Sequence, residues 1–294
     1  MITYRHHVMS LVAVFLALAV GIVLGGGPLS EIGRADDATA PAAERRADET
    51  QRAAALGDEF AGEAAATLYA GGLEAHPTAL LTMPGVDEEQ AAAVTAQVQA
   101  AGGTVSGRYD VREALLDPTE RTLVDTLGSQ LLTQLPEGLV DTEAPTYVRM
   151  GQLIGVAAAS TVPAGEEADG DTSAIRESLA GADLLTSVDP DAGRAPLVLV
   201  LLGDDADADL VAGLLDGLAQ TSAGVVVAGD TTSGRAGGDL ELLRANAVSE
   251  EVSTVDGVER TLGQVTAVLA LIRELDGAGG SFGASGAEGA VPLG

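Results

Sequence analysis

The sequence predicts an α/β chain: an N-terminal transmembrane helix and helical stalk, followed by a mostly parallel-sheet, Rossmann-like domain. Three observations predict it. Residues 8–27 carry no charge. The runs LVLVLL (197–202) and VVVA (225–228) are uniformly apolar, which suits strands covered on both faces of a parallel sheet. Between them, residues 206–220 space Leu210, Leu214 and Leu218 four apart, so the segment forms a βαβ unit with a right-handed crossover.

The opening segment sets the compartment. At ~1.5 Å per residue, a helix over Val8–Gly27 spans roughly 30 Å, one hydrocarbon thickness. Arg5, His6 and His7 precede it, and the first charge beyond it is Glu31. Basic residues stay inside, so the N-terminus is expected in the cytoplasm and the remainder outside a single-pass anchor in the cell membrane, residues 1–29. A cleaved signal peptide is the alternative, but the apolar stretch is longer than such a segment needs.

Residues 30–72 are rich in Ala, Glu, Asp and Arg and read as a helical stalk or linker. Its helix is expected from about Ala42, just after Pro41, to Ala70, with Leu56, Phe60 and Leu68 as a sparse apolar stripe. No clean heptad runs through it, so the case for a coiled coil is poor. Gly71-Gly72 ends it, and an extracytoplasmic α/β domain is expected over 73–275. TALLTM (78–83) reads as a strand ending at Pro84-Gly85. Asp87 with Gln90 opens a helix carrying Val94 and Val98. TVSGRY (104–109) reads as a second strand. Asp117-Pro118-Thr119-Glu120 opens a helix with Leu123, Leu127, Leu131 and Leu135. Further helices are expected near 146–159 and 172–180, a strand at DLLTSV (183–188), a weaker strand at EVSTV (251–255), and a helix at 259–275. The tail, 276–294, is Gly-rich and reads as disordered.

Composition excludes several classes. The 294 residues include no Cys and no Lys, and carry a net charge of −29. Disulfide frameworks, zinc knuckles, iron–sulfur clusters and cysteine nucleophiles are therefore ruled out. Nucleic acid is an unexpected partner, since phosphate would meet like charge. Aromatics are 2% of the chain, so the core has to be aliphatic.

Catalytic signatures are weak, and no enzyme activity and no cofactor are expected. His76 is the only histidine beyond the opening segment, and no Ser stands in G-x-S-x-G. Asp205-Ala206-Asp207-Ala208-Asp209, with Asp216 in the twelfth place, resembles a calcium loop. Leu210 holds the sixth place, where the turn needs Gly, so helix capping is the simpler reading. Gly229-Asp230-Thr231-Thr232-Ser233-Gly234-Arg235 follows an apolar strand but lacks the spacing of a phosphate loop; a flexible loop is the plainer reading. If the strands are parallel, the loops at Pro84–Asp87, Gly203–Asp205 and Gly229–Gly238 share the carboxyl edge of the sheet. Asp230 and Arg235 are there the candidate partner-binding residues, set against a plain turn-and-cap role for the acids and glycines.

The opening MITYRHHVMSLVAVFLALAVGIVLGGGPL resembles the start of the actinobacterial MctB-like copper transporter family: a Met-Ile-[Ser/Thr] start, a basic residue, then an apolar segment that Ser10–Gly25 follows nearly throughout. Near the other end, STVD (253–256), GQVTAVLAL (263–271) and Phe282-Gly283, where the family often has Tyr-Gly, extend the resemblance over the whole chain. It implies an anchor, a stalk, an α/β domain and a role in copper export or homeostasis. A related corynebacterial protein, SteB, resembles the family in architecture and acts with a membrane partner in envelope assembly and division. This chain departs from the family in a shorter, Ala-rich stalk interrupted by Pro41. One helix forms no pore alone, so transport implies a homo-oligomer or a membrane protein partner. Cu(I) prefers Cys and Met, and beyond the opening segment only Met83 and Met150 are present, so copper association is expected to be weak, with no metal site.

Overall fold

The computed structural model describes residues 28–136, 138–203 and 207–293. The expected anchor segment, residues 8–27, lies outside the described residues. Among the described residues, no helix is long and apolar enough to cross a membrane. The chain divides into two units, Met1–Gly57 and Asp58–Gly294.

Helix α1 runs Pro28–Tyr69, with the division falling inside it. It starts well before Pro41, with Pro28 at its first position, where a missing N–H costs nothing. In the first unit, residues 44–52 are all exposed. The second unit starts at Asp58 and so takes in the end of α1. Ala61, Ala65 and Tyr69, spaced four apart, are 2–5% exposed and form core. Leu56 and Phe60, two residues of the expected stripe, are instead exposed at 67% and 71%. Small side chains mark the buried face because they allow close approach, a property hydropathy does not register. Asp58 also receives hydrogen bonds from the Arg260 guanidinium and from Leu262 N.

The second unit is α/β around a seven-stranded, mostly parallel sheet. In chain order its elements are β1 (Thr78–Thr82), α2 (Glu88–Ala100), β2 (Val105–Val111), α3 (Glu113–Leu116), α4 (Arg121–Leu132), α5 (Thr146–Ala158), α6 (Gly170–Gly181), β3 (Leu185–Ser187), β4 (Leu197–Leu201), α7 (Ala208–Ala219), β5 (Gly224–Gly229), α8 (Asp239–Arg244), β6 (Ser253–Asp256), α9 (Thr261–Glu274) and β7 (Ser281–Phe282). The spatial order is β3-β2-β1-β4-β5-β6-β7. Every neighbouring pair is parallel except β2 with β3, where Tyr109 faces Ser187.

Two cores lie on the two faces, and the strands divide their side chains between them with period two. Val198, Val200, Val225 and Val227 belong to one core with Met150, Leu153 and Leu214. Leu197, Leu199, Leu201, Val226 and Ala228 belong to the other with Val94, Val98, Val268 and Leu271. Both faces are covered, which is why β4 and β5 are apolar at every position.

The Gly-rich tail is ordered, against expectation. Ser281–Phe282 adds a parallel strand to β6, with Thr254 opposite Ser281 and Val255 opposite Phe282. Phe282 is 2% exposed in the second core, and the Arg273 guanidinium lies 5.7 Å from its ring centre. One buried aromatic and the polar anchors described below outweigh the low hydropathy of the segment.

Candidate functional site

The carboxyl ends of β1 and β4 meet where the strand order reverses, the place at which open α/β sheets bind ligands. Here backbone occupies that place. Met83 N donates to Leu201 O at 2.9 Å, and a Cβ built on Gly203 would stand 1.6 Å from the Pro84 carbonyl oxygen. Only glycine permits this approach. Neighbouring acids act on helix ends: the Asp87 carboxylate accepts from Glu89 N, and that of Asp207 from Asp209 N and Leu210 N. Asp204 and Asp205 lie outside the described residues.

The loop after β5 is a built turn and not a flexible segment. Asp230 Oδ1 accepts from Ser233 N at 2.7 Å, and both carboxylate oxygens accept from Thr232 Oγ1. Ser233 Oγ in turn donates to the Asp230 carbonyl. Thr231 is held through its N–H and hydroxyl by the Glu259 carboxylate. Leu240 N and Glu241 N close the far side on the Ser233 carbonyl. Asp230 is therefore spent on shaping the turn, as Asx residues are when the chain reverses. The D-T-T-S string was the signal that could have shown this. Arg235 differs. Its backbone helps close the turn, since Gly238 N donates to Arg235 O, while its side chain is exposed and its guanidinium makes no hydrogen bond or ion pair among the described residues. The structure places the two candidate residues in one loop but gives them different tasks.

Beside this loop lies a pair that the sequence did not single out. The Arg244 guanidinium donates to Asp256 Oδ1 at 2.9 Å, Thr254 Oγ1 at 2.9 Å, Ser285 Oγ at 2.7 Å and the Phe282 carbonyl at 2.8 Å. The Asp256 side chain is wholly withdrawn from solvent and also accepts from Ser285 N. Asp256 closes the STVD segment, but nothing in that segment points to Arg244, and the partners of the pair lie up to 41 residues away.

Among the described residues, copper-capable side chains are dispersed. Met83 and Met150 are core residues, 3% and 0% exposed, and a ring nitrogen of His76 lies 3.1 Å from the Pro163 carbonyl. Among the described residues, no group of three or more His, Cys, Asp or Glu is placed to hold a metal ion.

The family described as "Copper transport outer membrane protein, MctB" matches residues 1–293. The chain belongs to the MctB family. It is similar to the Copper transporter MctB of Mycobacterium tuberculosis (strain ATCC 25618 / H37Rv), 28% identical over 305 residues covering 92% of each chain. It is likewise similar to the Copper transporter MctB of Mycobacterium leprae (strain TN), 29% identical over 307 residues covering 94% of each. Membership of the MctB family makes this a copper-related envelope protein.

Proposed function

We propose that this chain is a membrane-anchored cell-envelope protein that acts in copper export or homeostasis by engaging a protein partner or a second copy of itself. The match of the family over residues 1–293 carries this reading, because it includes the apolar segment 8–27 together with the whole α/β unit. With the segment spanning the cell membrane, the unit from Asp58 onward lies on its outer side. A single helix provides no conduit, so copper movement requires assembly with other chains. Arg235 supplies an exposed cation on a net-acidic chain, suited to a carboxylate on a partner.

A second reading is a non-transporting scaffold for a cell-division or envelope-assembly partner. The close approach of Gly203 to Pro84 favours it: the place where such sheets take small ligands is filled by backbone, while the loop carrying Arg235 stays open to a macromolecule.

A deletion strain complemented with the wild-type chain or with Arg235→Glu tests both. Copper retention in the deletion strain, relieved by wild type and not by Arg235→Glu, supports the first reading. Altered septation or cell shape with normal copper content supports the second. Full complementation by Arg235→Glu in both assays removes the loop as the working surface.

A further inference from the structure

We propose that the edge of β6 on which the C-terminal tail lies is a binding site for an extended peptide segment, and that the tail is its resident ligand, able to leave and be replaced. This goes beyond the loop at Arg235 and does not depend on it.

The tail is held as a bound peptide is held. It lies parallel to β6 over two residues, so its backbone contribution is short. Beyond the contacts that Ser253 and Thr254 make with Gly280 and Ser281, three discrete anchors hold it. The first is Phe282, the aromatic side chain of the segment, buried in the second core, against which Val291 also packs. The second is the Arg244 guanidinium, which reaches the Phe282 carbonyl and the Ser285 hydroxyl. The third is Asp256, which accepts from Ser285 N while Gly283 packs over it; a Cβ built on Gly283 would stand 2.4 Å from Asp256 Oδ1. Gly283 has φ +108°, so both its conformation and its lack of a side chain are required. Backbone pairing for affinity, with one pocket and a few polar clamps for selectivity, is the pattern of β-strand addition.

The site outlasts the tail. Arg244 retains Asp256 and Thr254 as partners when the tail leaves, both from β6, so the clamp stays formed with two donor positions open. A groove of about 440 Å³ runs beside the tail, lined by Arg244, Ser249, Thr254, Ser281, Ser285 and Glu288. The path back to α9 passes through Gly277, Gly279 and Gly280, which give it the conformational range to swing away. The chemistry of an incoming segment is set by the one it replaces: a small hydroxyl residue, an aromatic residue and a glycine in sequence, entering parallel to β6, with a second hydroxyl two residues beyond the glycine.

A fluorescein-labelled peptide of residues 278–291 tests this against the full chain in detergent, read by fluorescence anisotropy. The chain carrying Phe282→Ala, whose own tail is loosened, is expected to bind the peptide at least about tenfold more tightly than the wild-type chain, because a larger fraction of its sites is open. Adding Arg244→Ala to that chain is expected to weaken binding by about tenfold or more. A peptide with Ala in place of Phe is expected not to bind. Equal binding by the wild-type and Phe282→Ala chains, or none by a Phe282→Ala chain that melts as wild type does, overturns the proposal. If Phe282→Ala prevents folding, hydrogen exchange on the wild-type chain decides. Amides of 281–288 exchanging at least about 100-fold faster than those of β4 and β5 show an opening tail. Tail amides as protected as those of β5 overturn it.

Discussion

The buried carboxylate of Glu274, at the end of α9, accepts a hydrogen bond from Ser253 Oγ at the start of β6, and the same Oγ accepts from Gly280 N. Glu274 is 8% exposed, and burial raises its pKa above the ordinary glutamate value, outweighing the opposing Ser253 contacts. A raised carboxyl favours the folded state most below the unfolded value and loses that contribution as pH rises through the folded one. Glu274→Gln keeps an acceptor for Ser253 without the buried charge. It is expected to stabilise the chain at pH 7.5 by on the order of 1 kcal/mol, or about 2–4 °C in Tm. The gain should shrink near pH 4.5, and thermal melts of both chains at the two pH values measure it.

Asp169 has the opposite sign. As the cap of α6 it accepts from Thr172 N and Thr172 Oγ1, and these bonds lower its pKa. Its contribution is present above the unfolded carboxylate value, about 3.9, and is lost as pH falls through the folded value. Asp169→Ala is expected to cost about 1 kcal/mol at pH 7 in urea unfolding. Asp169→Asn should keep most of the cap and show a flatter acid limb.

Gly203→Ala places a methyl group into the Pro84 carbonyl, backbone against backbone, with no flexible neighbour to yield. The expected loss is about 2 kcal/mol or more, read as a lower urea midpoint at unchanged m-value.

The loop after β5 separates shape from recognition. Asp230→Ala removes the acceptor for Ser233 N and both contacts to Thr232 Oγ1, and is expected to lower stability by about 1 kcal/mol. Arg235→Ala should change it by no more than about 0.5 kcal/mol. Equal melting of the two variants contradicts the division of labour drawn between them.

Copper chemistry gives a further expectation. The thioethers of Met83 and Met150 are core atoms, so the folded chain should compete weakly for Cu(I) against a chromogenic chelator. Met83→Leu with Met150→Leu should leave the competition curve unchanged. Sub-nanomolar affinity lost in that double variant would establish direct handling of the metal.

What was legible in the sequence was what hydropathy and caps encode. The continuous apolar runs at 197–202 and 225–228 announced the strands β4 and β5, buried on both faces, and Asp87 marked the start of α2. The antiparallel direction of β3 was not legible, because three residues carry no directional signal. The tail was misread because a single Phe among glycines has no periodicity; its order depends on Arg244, 38 residues before Phe282. For Asp230 the sequence left a partner-binding role and a plain turn role side by side, because a turn closed by its own carboxylate is a local bond that periodicity does not register. The buried face of α1 was missed because Ala61 and Ala65 carry little hydropathic weight.

The margins of the sheet bear on how these chains tolerate crowding. One margin is β3, three residues long, and the other is β7, two residues long. On β7, Ser281 N donates to the Glu288 carboxylate and Glu288 N donates to the Ser281 carbonyl, so the tail folds back over its own outward groups. Neither margin offers a neighbouring chain the long row of unpaired amides on which sheets join into fibres. With a net charge of −29 adding mutual repulsion, such chains should remain dispersed at high local density while the tail is seated. A chain whose tail has been cut away would be the one that aggregates.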